Sequence, residues 1–350
     1  MLIKGSHTMF KSKYRAIIKK VSFYITAVLF VLIASSISAL ADQGSRFSIE
    51  ALDGDGNSSQ QGYYHVVQSP GSSATFGVKV YNYSDEEITV RAEVNPASTN
   101  DNGIPSYLHQ ENIDDSLKYR MDELVKLNSY EVLIPANDFV ILKGEIMFPK
   151  ESFDGDILGG IRFTQKETNE QNQTIAHEVA YTIGILLNQE NGKSVENQLE
   201  LLSVDTAQRN YRTFIEAAIQ NSAAAIIHDL SIQAKVFQEN RRQPVYESES
   251  KEMRMAPNSN FAFGIPTGEV AVQAGNYRLE MLANADGKEY QFTQEFTITE
   301  QEAKELNSNA VNIEESRHYL LYVVLAVLTG LVLFLLVVLY KKSKRGDMMN

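Results

Sequence analysis

Apolar and polar side chains alternate along most of this chain, and a period of two leaves little besides half-buried strands. Ile88, Val90, Ala92 and Val94 alternate with Thr89, Arg91 and Glu93, and Phe76, Val78 and Val80 with Thr75, Gly77 and Lys79. Further on, Leu230, Ile232, Ala234 and Val236 alternate with Ser231, Gln233 and Lys235, and Tyr277, Leu279 and Met281 with Arg278 and Glu280. Turn signals separate these runs at Pro70-Gly71, Asn82 to Asp85, Asn102-Gly103, Asp154-Gly155, Asn191-Gly192 and Asp286-Gly287. Short strands at this spacing predict an all-β chain of two tandem immunoglobulin-like β-sandwich domains. Leu117, Met121, Leu124 and Val125 stand at helical spacing, and Thr299-x-x-Glu302 is a capping-box pattern that opens a short helix toward Leu306.

Two apolar segments, Val21–Leu40 and Tyr319–Tyr340, bracket nearly all of the negative charge. Between Asp42 and His318 stand 43 acidic and 22 basic residues, a net charge of −21. Lys11, Lys13, Arg15, Lys19 and Lys20 precede the first segment, and Lys341, Lys342, Lys344 and Arg345 follow the second. Basic flanks stay cytoplasmic, so the acidic middle is expected outside. The first segment, with Ala39-Leu40-Ala41 as a small-x-small cleavage site, reads as a signal peptide over residues 1–41. An uncleaved helix is the alternative, and it leaves the topology unchanged. The second segment has 22 residues without a charge, which at ~1.5 Å each span the bilayer core. A single-pass plasma-membrane protein with a short basic cytoplasmic tail (341–350) is therefore expected. No L-P-x-T-G sorting motif precedes that segment.

The polar run from Lys166 to Thr174 is read as the boundary between the two sandwiches. It gives a first domain at 46–165, a linker at 166–173, a second domain at 174–306 and a stalk at 307–318. A hairpin loop inside one domain is the alternative reading. The chain has no cysteine, which fits a bacterial exported protein that relies on core packing. Its acidity excludes nucleic acid as a ligand, because phosphate binding needs clustered Lys and Arg.

Catalytic and metal motifs are incomplete. His177-Glu178-Val179-Ala180-Tyr181 starts like a zinc-binding H-E-x-x-H, but Tyr181 replaces the second ligand. Gly192-Lys193-Ser194 lacks the earlier glycine of a phosphate loop and reads as a turn. Asp53-Gly54-Asp55-Gly56-Asn57 opens like a calcium loop without its later ligands and reads as a solvated turn. No G-x-S-x-G anchors a serine triad. The chain reads as a non-enzyme without a cofactor.

Several motifs occur together. They are Ser69-Pro70-Gly71, Tyr81-Asn82-Tyr83-Ser84, Asn95 to Gly103, the stretch Met147 to Ile161 ending in Asp154-Gly155-Asp156-Ile157-Leu158-Gly159-Gly160-Ile161, and Ala256-Pro257-Asn258-Ser259 with Ala274-Gly275-Asn276-Tyr277. In combination they resemble the WxL-interacting proteins of Gram-positive bacteria. The resemblance covers roughly Arg46 to Arg345 and departs from the family at Asp53–Asn57 and at Tyr63-Tyr64-His65. It implies a peptidoglycan-binding first domain and a second domain for a host matrix or surface ligand. It also implies WxL-domain surface proteins and the plasma membrane as partners.

The candidate ligand-binding residues are Tyr63, Tyr64, Tyr81, Asn82, Tyr83, Asn100, Asn102, Tyr107, Asp154, Gly159, Gly160, Pro257, Asn258 and Ser259. Tyrosine offers a sugar ring both an apolar face and a hydroxyl, although alternate strand positions turn into the core. Gly159-Gly160 is either a flat binding strip or a packing device, and strand glycines are more often the latter. Pro257-Asn258-Ser259 reads first as a turn and second as a contact loop. The expected function is a non-enzymatic adhesin or scaffold. An assembly factor without a host ligand is the alternative, and a wall hydrolase ranks third.

Overall fold

The computed structural model describes residues 46–59, 62–166, 179–310, 326–331 and 334. The signal peptide, the tail and most of the linker, stalk and membrane segment lie outside these residues. Residues 326–331 and 334 are helical, and no helix among the described residues is long and apolar enough to cross a membrane.

The first sandwich has a two-stranded hairpin of β5 (Ser98–Thr99) and β6 (Pro105–Ser106) and two sheets. In one, β1 (Phe47–Leu52), β3 (Ser73–Asn82), β9 (Phe139–Met147) and β7 (Val125–Leu127) lie side by side in that order. In the other the order is β2 (Tyr64–Gln68), β11 (Ala180–Gln189), β10 (Ile157–Gln165), β4 (Ile88–Pro96) and β8 (Glu131–Ile134). The alternation decides what turns inward. Phe47, Val78, Val80, Leu142 and Ile146 of the first sheet share a core with Val90, Ala92, Ile161, Phe163, Ile183, Ile185 and Leu187 of the second. Leu117 to Val125, read as helical, yields only the one-turn α1 (Met121–Leu124), with Val125 already in β7. The turn drops Met121 into the core, where it is fully buried.

The sheet of the first sandwich continues past the boundary expected at 166–173. β11 lies beyond that run, yet it pairs antiparallel with β10 from Ile157↔Leu187 to Thr164↔Ala180. Its other edge pairs parallel with β2 from Ile185↔Tyr64 to Gln189↔Gln68. The polar run therefore connects two paired strands of one sandwich. The passage between the two cores falls at residues 190–198, after β11 and before Leu199.

The second sandwich sets β12 (Leu199–Arg209), β13 (Arg212–Asn221) and β16 (Ser259–Pro266) against β15 (Tyr246–Met255), β14 (Ile227–Gln238), β17 (Gly275–Ala285) and β18 (Lys288–Ile298). Ile215, Ala217 and Ile219 meet Ile232, Ala234 and Val236, whose register partners are Ala283, Met281 and Leu279. The capping box forms as read. Thr299 Oγ1 accepts from the Glu302 amide at 3.2 Å, Glu302 accepts from the Thr299 amide at 2.8 Å, and α2 (Glu300–Asn309) follows.

Hydrogen bonds and a small apolar cluster join the sandwiches. Ala97 and Leu158 of the first meet Ala256 of the second, with Leu186 and Ile226 packed alongside. Thr99 Oγ1 lies 2.7 Å from Ser259 Oγ and accepts from the Ala256 amide at 3.0 Å. The Asp156 amide donates to the Ala224 carbonyl at 2.8 Å, and its carboxylate accepts from the Ile226 amide at 3.1 Å. Arg254 N–H donates to the Gly103 carbonyl at 2.7 Å.

Asp114 bridges the same joint by accepting from Gln220 and Asn260 of the second sandwich and from Ser116 beside it. Partial burial pushes its pKa up, but the hydrogen bonds from Ser116, Asn260 and Gln220 outweigh it and hold the group below its ordinary value. A depressed carboxyl contributes stability above its unfolded pKa, about 3.9, and loses it as pH falls through the lower folded value. Coupling between the sandwiches is thus expected to hold from neutral pH down to about 4 and to fade below it. Scattering measured against pH checks this, and Asp114→Ala should flatten the acid-dependent part.

Candidate functional site

The candidate residues separate into three places. The first is the core. Tyr64 is buried, donates to the Gly77 carbonyl at 2.6 Å, accepts from the Leu52 amide at 3.2 Å and lies tilted on Phe76. Burial raises its pKa. Asn82 is also buried: its amide donates to the carbonyls of Glu86, Ile134 and Pro135 and its oxygen accepts from Ser84. Both hold the fold, and both leave the ligand list.

Gly159 and Gly160 leave it too, because their space is taken. A Cβ on Gly159 would stand 2.4 Å from Met121 Cβ and 2.7 Å from the Asn95 carbonyl oxygen. On Gly160 it would stand 2.9 Å from both the Ile183 carbonyl oxygen and the Tyr107 ring. Tyr107 therefore lies over the strip that a ligand would need, with Asn95 donating to its carbonyl at 3.0 Å. Burial raises the Tyr107 pKa. Tyr63, 43 % exposed, stands nearby beside Gly184 on the outer face of the same five-stranded sheet.

The second place is the joint. Pro257 and Ser259 are buried there. Asn258 takes a positive φ of 49° and donates to the Ser222 carbonyl at 2.9 Å. Asn100 accepts from the amides of Asn102 and Ile104, shaping the loop whose Gly103 meets β15. Asp154 accepts from the Lys193 amide at 2.9 Å. The two stretches with the most family character, Asp154 to Ile161 and Ala256 to Ser259, thus serve the contact between sandwiches.

The third place is open to solvent. On the outer face of β1, β3 and β9, Tyr83 stacks on Tyr81 with centroids 6.0 Å apart and planes within 3°. Phe139, the register partner of Tyr81, lies tilted against it at 5.8 Å. Lys79 Nζ stands 3.9 Å from the Phe139 centroid and 4.6 Å from that of Tyr81. Tyr81 donates to Glu50 at 2.6 Å, and the Tyr83 hydroxyl lies 2.9 Å from Ser48 Oγ. Hydrogen bonds from the Tyr81 and then the Ser58 hydroxyl hold the Glu50 carboxyl below its usual range. Tyr83 is 61 % exposed, and Phe139 and Ile141 are exposed as well. Stacked rings with a carboxylate and an ammonium on one flat face can hold a sugar ring by its apolar side while hydrogen-bonding its edge.

Phe139, Ile141, Lys79 and Glu50 were absent from the sequence-derived candidates. A signal existed: β9 is apolar on both faces, with Val140, Leu142 and Ile146 turned inward and Phe139, Ile141 and Met147 outward. Among the described residues no group of His, Asp or Glu is arranged to hold a metal.

Residues 47–165 match the family described as WxL Interacting Protein, peptidoglycan binding domain, and residues 170–308 match WxL Interacting Protein, host binding domain. The chain belongs to the WxL-interacting protein family. It is accordingly a surface binding protein built from two binding domains. In this WxL-interacting protein the family division at 165–170 and the sheet topology differ, since β11 lies in the host-binding segment and completes the first sandwich.

No curated protein matches the chain. Solved structures with some likeness include a chaperone–tip adhesin complex of CFA/I fimbriae (11 % identity, 72 % of this chain and 98 % of that one, TM-score 0.29). Two others are the Pseudomonas aeruginosa CupB2 chaperone (14 %, 65 % and 95 %, 0.26) and the E. coli chaperone DraB (12 %, 72 % and 98 %, 0.27).

Proposed function

We propose that this WxL-interacting protein is a non-enzymatic adhesin and scaffold of the cell surface, with immunoglobulin-like sandwiches and one C-terminal membrane helix at 319–340. Its first sandwich holds peptidoglycan glycan on the face formed by Tyr81, Tyr83 and Phe139. Its second binds WxL-domain proteins or host matrix. The observation that carries the wall-binding reading is the solvent-open stack of Tyr83 on Tyr81 beside Phe139, Lys79 and Glu50, in the sandwich that matches the peptidoglycan-binding family. Polar rims around an aromatic centre recognise uncharged sugars without the help of net charge, which suits an ectodomain of −21.

Pelleting of residues 46–310 with teichoic-acid-stripped peptidoglycan over a salt series tests this. Saturable binding that survives high salt is expected, because screening removes only the electrostatic part. The double substitution Tyr83→Ala and Phe139→Ala should weaken it by roughly 10- to 100-fold, the worth of about 1–3 kcal/mol of ring contact. Undiminished pelleting of the variant would reject this face. An assembly factor that reaches the wall only through partners would show no pelleting at all.

A further inference from the structure

The second sandwich carries a feature at the end opposite the joint. There β14 ends, β15 begins, β16 ends and β17 begins, and the loops between them line an open groove of about 690 Å³ bordered by Arg241, Arg242, Tyr246, Thr267, Val270 and Tyr277. From Leu199 to Asn309 this sandwich has 16 acidic and 10 basic residues, yet two adjacent arginines stand here. Neither takes part in an ion pair among the described residues. Of the carboxylates at this end, Glu239 accepts from Asn276 at 3.0 Å and Glu302 is held in the α2 cap. Glu269, Glu300 and Glu305 are exposed. Val270, in the adjoining loop, is 71 % exposed, the most of any large apolar side chain described.

The chain leaves the sandwich at this same end. Asn307 of α2 exchanges two hydrogen bonds of 2.8 Å with the backbone of Val272, and Gln208 donates to the Leu306 carbonyl at 2.7 Å. Between Asn309 and the apolar segment at Tyr319 stand nine residues. Even fully extended they reach only ~30 Å.

We propose that this end of the second sandwich rests on the membrane, with Arg241 and Arg242 taking the phosphate of an anionic phospholipid headgroup and Val270 entering the interface. The inference builds on the reading that residues 319–340 cross the bilayer. Guanidinium forks suit phosphate oxygens, and an apolar residue beside them suits the headgroup–acyl boundary. The attraction of two arginines is weak for a free protein, but the tether raises the local concentration to the millimolar range. The nine-residue tether sets which end faces down, and the arginine pair supplies the contact with phosphate.

The chain without its leader, residues 42–350, which has no cysteine of its own, is reconstituted as Val270→Cys carrying a fluorophore. The vesicles contain phosphatidylglycerol with phosphatidylcholine, or phosphatidylcholine alone, and a nitroxide-headgroup lipid as quencher. Flotation with the vesicles reports on the membrane segment by itself, and a chain that fails to float overturns the anchor and this inference together. Strong quenching is expected only in the anionic vesicles. R241E/R242E should shift the contact equilibrium by about 30-fold or more toward the unquenched state. Equal quenching in both lipids, or in the floating variant, would overturn the proposal. So would complete relief by free glycerol phosphate, which would show a soluble-phosphate site instead. The comparison of lipids needs no substitution beyond the labelled Val270→Cys.

Discussion

A fragment that ends at Gln165, the edge of the family's peptidoglycan-binding segment, will not show a cooperative unfolding transition, whereas one that ends at Ser194 will. The shorter fragment loses β11 and with it the fully buried Ile185 and Leu187 and the 3 % exposed Ile183. At ~1.5–3 kcal/mol for each buried side chain the loss is about 5–9 kcal/mol. That rivals the whole stability of an ordinary domain, roughly 5–15 kcal/mol. Among the described residues β2 would lose its one partner strand, β11, and β10 would expose an edge. Urea unfolding followed by far-ultraviolet circular dichroism checks both fragments. A sigmoidal transition in the shorter one would show that β11 is dispensable.

The second large effect is expected at the joint. Gly155 has φ +81°, and a Cβ there would stand 2.0 Å from the Ala224 carbonyl oxygen, the acceptor of the Asp156 amide. Gly155→Ala must therefore push the sandwiches apart. It costs ~1–2 kcal/mol for the left-handed backbone and about 1 kcal/mol for each hydrogen bond lost at Asp156. With the two hydrogen bonds of Asp156, roughly 2 kcal/mol of coupling, removed, each core should melt separately. Calorimetry should show one shared transition in the parent and two in the variant, with new proteolytic cutting at 190–198. A single unchanged transition would mean that the joint contributes little.

Strands were legible because their period is local. β3, β4, β14 and β17 follow the alternation of Val78, Val90, Ile232 and Leu279, and the Thr299–Glu302 cap marks α2. Pairing was not legible in the same way. The polarity of Lys166 to Thr174 shows that nothing there is buried, but it does not say that Ile183 and Ile185 turn back onto Ile161 and Tyr64. The site residues misled for a related reason. A glycine that lets Tyr107 lie on the sheet, an asparagine that satisfies three carbonyls and a serine at the joint use the same residue types as a ligand contact. Among the candidate tyrosines exposure separates them, and it left Tyr83 with half-buried Tyr81 on one sheet and Tyr63 on the other. The solvent face of β9 did carry a readable sign in Phe139 and Ile141.

The most direct measurement is a titration of residues 46–310 with soluble N-acetylated sugar oligomers released from the wall, followed by the aromatic resonances. Tyr81, Tyr83 and Phe139 are expected to shift together and saturate while Tyr63 and Tyr107 stay in place. Shifts confined to Tyr63 and Tyr107, or no saturable shift, would contradict glycan binding on this face.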